Sequence, residues 1–71
     1  MDDRIVLLRV RDLVRDDRVE EARMELGTLM ESEQPAVGRI RAIVDGLGGH
    51  PSEEARREAV ALIDRIVQET L

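Results

Sequence analysis

The sequence predicts an all-α fold: a small four-helix domain built as two antiparallel helical hairpins. Apolar residues recur at three- and four-residue spacing in four separate segments, and no segment alternates as a strand does. Turn signals separate them, at Asp16-Asp17, Ser32-Glu33-Gln34-Pro35 and Gly46-Leu47-Gly48-Gly49-His50-Pro51. With 71 residues the chain has the length of a single domain, 1–71, so hairpin 1 (about 3–31) and hairpin 2 (about 35–69) are expected to share one core.

The first helix is expected over about 3–15, with Asp2 and Asp3 at its positive end and Val6, Leu7, Val10, Leu13 and Val14 in one stripe at 100° per residue. Ile5 and Leu8 project away from that stripe. The second, about 18–31, is expected to be capped by Asp16 or Asp17 and to gather Val19, Ala22, Leu26, Leu29 and Met30, leaving Met24 on a charged face. Pro35 suits the first turn of the third helix, whose apolar set is Val37, Ile40, Ile43, Val44 and Leu47 and which should end in the glycines. The fourth, about 52–69, carries two stripes: Ala55, Ala59, Leu62 and Ile66, and then Val60, Ile63, Val67 and Leu71. A helix apolar over that width either sits centrally or meets another chain.

At an offset of 33, Glu20-Glu21-Ala22-Arg23-Met24-Glu25 aligns with Glu53-Glu54-Ala55-Arg56-Arg57-Glu58, five of six positions identical. Each half thus reads as a helix, a turn and an acidic-capped helix, although Glu-Glu-Ala-Arg is also a favourable first turn for any helix. The period, with Ala22 and Pro35, resembles the tetratricopeptide pattern. The large aromatic and small residues of that motif are missing near Arg9 and Val10, and two repeats are fewer than such stacks need, so the likeness extends only to helix-hairpin architecture.

Composition narrows the function. Sixteen acids against eleven bases, all Arg, give a net charge of −5, which disfavours attraction to nucleic acid or an anionic membrane. The chain has no Phe, Tyr or Trp to stack on bases, and no Cys for disulfides, thiolate metal sites or thiol catalysis. Its longest apolar run, Ile5 to Leu8, is far short of the roughly 20 residues that span a bilayer, and Met1-Asp2-Asp3 does not begin like a signal peptide. A soluble cytoplasmic protein, away from membranes, is expected.

The polar residues have structural explanations. His50, in the turn before Pro51, has no second His or Cys to form a metal site with, and Glu21/Glu25 and Glu54/Glu58 lack the Glu-x-x-His partners of a di-iron bundle. The glycine turn follows a helix and lacks the Lys-Ser/Thr of a phosphate loop. Ser32 and Ser52 lie beside helix starts, where their oxygens can accept backbone N–H groups. Ser52 stands in Pro-Ser-Glu, not the Asp-Ser-Leu of an acyl carrier protein. No catalytic residue and no cofactor is expected.

The expected function is non-enzymatic protein–protein interaction, as an adaptor, regulator or small inhibitor of a larger complex. Its candidate surface is Ile5, Leu8, Met24, Val60, Ile63, Val67 and Leu71, with a symmetric homodimer as the simplest closed arrangement. The alternative is a nucleic-acid-related regulator, either an acidic protein occupying a basic channel on its target or a weak helix-turn-helix reader using Arg39 and Arg41 or Arg56 and Arg57. Against the reader, 19–34 holds one Arg and five acids, and 51–71 holds three Arg and five acids.

Overall fold

A computed structural model describes residues 3–70 and shows four helices: α1 (Asp3–Arg15), α2 (Val19–Gly27), α3 (Pro35–Gly46) and α4 (Glu53–Thr70). Three match the expected segments closely. α2 is shorter. It ends at Gly27, after which Leu29 N–H bonds to the Leu26 carbonyl (2.9 Å), Ser32 N–H to the Leu29 carbonyl (3.0 Å) and Thr28 Oγ1 to the Glu25 carbonyl (2.7 Å). Such three-residue steps advance about 120° per residue rather than 100°, so the apolar stripe loses its phase. Leu29 still reaches the core, but Met30, expected beside it, is 75% exposed.

The turn after α1 also differs from expectation. Asp17 has φ +63°, Arg18 N–H bonds to the Leu13 carbonyl (2.8 Å) and Asp17 N–H to the Val14 carbonyl (3.1 Å). These are the paired bonds of a Schellman motif, so Asp17 terminates α1 instead of capping α2. The cap residue of α2 is Arg18, which makes no side-chain cap bond and pairs with Glu21 at 3.2 Å. Ser52 does cap α4, its Oγ accepting the Ala55 N–H at 3.1 Å. Pro35 opens α3, and beyond its end Gly48 takes φ +71°, which glycine adopts without steric cost.

Side-chain bonds between helices set their directions. Ser32 Oγ donates to Asp3 at 2.7 Å and Arg9 pairs with Glu25 at 3.3 Å, so α2 runs back along α1. Arg41 donates to the Leu26 carbonyl (3.3 Å) and Arg23 lies 3.7 Å from Asp45, so α3 runs back along α2. Arg11 bonds to Asp64 (2.7 Å) and Arg56 to the Arg15 carbonyl (3.5 Å), so α4 is antiparallel to α1. α1 touches all three other helices, most extensively α2 and α4, whereas α2 and α4 do not meet. α4 at 1.5 Å per residue is about 27 Å long, close to the molecule's longest dimension of 30 Å.

The core is aliphatic throughout: Val6, Leu7, Val10 and Val14 from α1, Val19, Ala22 and Leu26 from α2, Ala36, Val37, Ile40 and Val44 from α3, and Ala59, Ile63, Ile66 and Val67 from α4. Among the described residues no polar or charged side chain is buried as a whole. α4 turns the seam between its two stripes inward. Ile63 and Val67, expected at an interface with another chain, are therefore core residues of a helix that packs against both α1 and α3. Leu62, expected inside, is 46% exposed.

Candidate interaction surface

The structure disperses the seven residues of the expected surface. Ile5 is 58% exposed on the outer side of α1 and Met24 is 76% exposed on α2. Leu8 and Val60 are half-buried against the edge of the core, Ile63 and Val67 are inside it, and Leu71 lies outside the described residues. Leu8 shares a face of α1 with Arg11 and Arg15, at spacings of three and seven, and Val60 shares a face of α4 with Asp64. The Arg11–Asp64 bond joins those two faces, so Leu8 and Val60 flank the α1–α4 junction.

Arg11 is the best-bonded charge of that junction. Its Nη1 donates to Asp64 at 2.7 Å, and its Nε and Nη2 donate to Asp12 Oδ1 at 3.2 and 3.0 Å. The bonds to Asp64 and then Asp12 hold the guanidinium protonated beyond its ordinary range, with burial opposing them. Arg11 is thereby committed to holding α4 on α1.

Further along the same junction, where α1 ends and α4 begins, a cleft of about 380 Å³ is lined by Arg15, Glu53, Arg56, Arg57, Val60 and Ala61. In the sequence Arg56 and Arg57 stand out only as a pair that could read DNA, and Arg15 does not stand out. What unites them is the pairing of the first helix with the last, which leaves no local signal in the sequence. A second groove, about 260 Å³, lies between α2 and α3, with Leu26, Gly27 and Met30 beside Arg23, Arg41 and Asp45. Arg41 donates there to the Leu26 carbonyl at 3.3 Å.

His50 is exposed in its turn, and among the described residues no group of three or more His, Asp or Glu is placed to hold a metal ion. Glu21 and Glu25 face Arg18 and Arg9, not each other's charge alone. Ser32 and Ser52 both accept backbone N–H groups, from Gln34 at 3.3 Å and Ala55 at 3.1 Å. No helix among the described residues is long and apolar enough to cross a membrane. The chain matches no protein-family model, no curated protein and no solved structure.

Proposed function

We propose that this protein is a non-enzymatic interaction module of the cytoplasm, an adaptor, regulator or small inhibitor that works by docking on a protein partner. The observation that supports this reading is the set of large aliphatic side chains left in water, Ile5, Met24, Met30 and Leu62, around a core already filled by other residues. Exposed methionines are unbranched and polarizable and adapt to the shape of a partner's surface. Self-association belongs to the same proposal, with Ile5, Leu8 and Val60 as its remaining candidates among the described residues.

Affinity capture from the native cell tests it, comparing wild type with a variant carrying Ile5→Glu, Met24→Glu, Met30→Glu and Leu62→Glu. A stoichiometric protein partner held by the wild type and lost by the variant, with the helical circular-dichroism signal kept, is the expected result. Capture of no stoichiometric partner, or equal capture by both proteins, overturns the reading.

A further inference from the structure

The cleft between the end of α1 and the start of α4 has a lining rich in arginine in an acidic protein. Three guanidiniums, Arg15, Arg56 and Arg57, line it with one carboxylate, Glu53, in a chain of net charge −5. Their existing bonds are weak. Arg15 has carboxylate oxygens of Asp12 and Asp16 at 3.5 and 3.8 Å, well beyond the roughly 2.7–2.9 Å of a good charge-assisted bond. Arg56 reaches the Arg15 carbonyl only at 3.5 Å, and its Nε is buried with no hydrogen-bond partner, Asp17 lying 3.8 Å away. Arg57 has a short bond, to Glu53 at 3.0 Å, but both groups are exposed and such a pair exchanges readily for another carboxylate.

The wall beside these charges is apolar, made by Val60 and Ala61. A guanidinium presents a planar fork that matches the two oxygens of a carboxylate, and an aliphatic side chain next to that carboxylate would cover the wall. A phosphate fits less well. The Ala55 N–H, one of the amides an anion at a helix start would use, is already taken by Ser52 Oγ.

We propose that this cleft docks an acidic segment of the partner protein, with one carboxylate on Arg56 and Arg57, a second on Arg15, and an aliphatic side chain between them against Val60 and Ala61. The assignment rests on the interaction-module reading and specifies the chemistry of its partner.

Fluorescence anisotropy tests it with two labelled peptides, Glu-Leu-Glu and Gln-Leu-Gln, each between glycine–serine flanks. The acidic peptide should bind with a Kd on the order of 100 µM or tighter at low salt, and raising salt from about 50 to 300 mM should weaken it several-fold. Arg56→Gln with Arg57→Gln should weaken it at least about tenfold, and the exposed single changes Arg15→Gln and Arg57→Gln each about threefold, so the result does not depend on the half-buried Arg56 alone. Arg65→Gln, farther along α4, should leave binding unchanged. Equal binding of the Gln peptide, unchanged affinity in the variants, or tighter binding of a labelled single-stranded oligonucleotide at the same arginines overturns the assignment. If the peptide fails while the wild type still captures a partner that the exposed-aliphatic variant loses, only the cleft assignment falls. If capture fails too, the broader reading falls with it.

Discussion

Leu26 and Met24 are two residues apart on α2 and have opposite fates, one 2% and the other 76% exposed. Leu26→Ala or Ile40→Ala removes close-packed core atoms and should cost about 2–4 kcal/mol in a denaturant melt, whereas Met24→Gln should stay within about 0.5 kcal/mol. These fates were legible because α2 keeps its 3.6-residue period as far as Leu26. Asp17 was not, since an aspartate before a helix is read first as a cap. Its left-handed backbone is uncommon for a residue with a side chain, and glycine holds it without strain. Asp17→Gly should therefore raise stability by about 0.5–1 kcal/mol, the 3.8 Å pair between the exposed Asp17 and Arg56 being too long to offset it. A fall in the denaturation midpoint would show that the aspartate does more than end a helix.

At the scale of elements, periodicity placed all four helices but did not settle how each was rotated. α1 and α3 have one apolar stripe each and bury it. α4 has two, and which part faces inward depends on which helices lie beside it. The seam was chosen by the nonlocal packing of α1 and α3, so Ile63 and Val67 were misplaced from sequence while Ala59 and Ile66 were not. A pair of substitutions checks the rotation: Val67→Glu should abolish the cooperative thermal transition, and Val60→Glu, at the half-buried edge, should keep it with a modest loss. Matching losses at the two positions would place the inward face elsewhere. α3 carries a different weakness, a glycine in its interior. A Cβ at Gly38 would meet nothing within 4 Å, so Gly38→Ala should stabilise by about 0.5–1 kcal/mol.

At the scale of the whole molecule, composition and length indicated a single aliphatic-cored domain, whereas the cleft proposed to take an acidic segment was hidden. Arg15 and Arg56 are 41 residues apart and meet only because α4 closes against α1. That closure also has a bearing on how the chain acquires its fold. Of the four helices, the first to be synthesised waits for the last, and until then the face of α1 that packs on α4 is uncovered. Contacts so distant along the chain must overcome loop-closure entropy before they stabilise anything. Residues 1–47 alone should accordingly remain largely unfolded by circular dichroism, and adding a peptide of residues 51–71 in trans should restore helicity in a saturable, one-to-one titration. Stable helix in 1–47 by itself would mean that three helices suffice. In the cell, the expected consequence is a protein that folds only after α4 has left the ribosome, and whose incomplete chains are marked for clearance by exposed aliphatic surface.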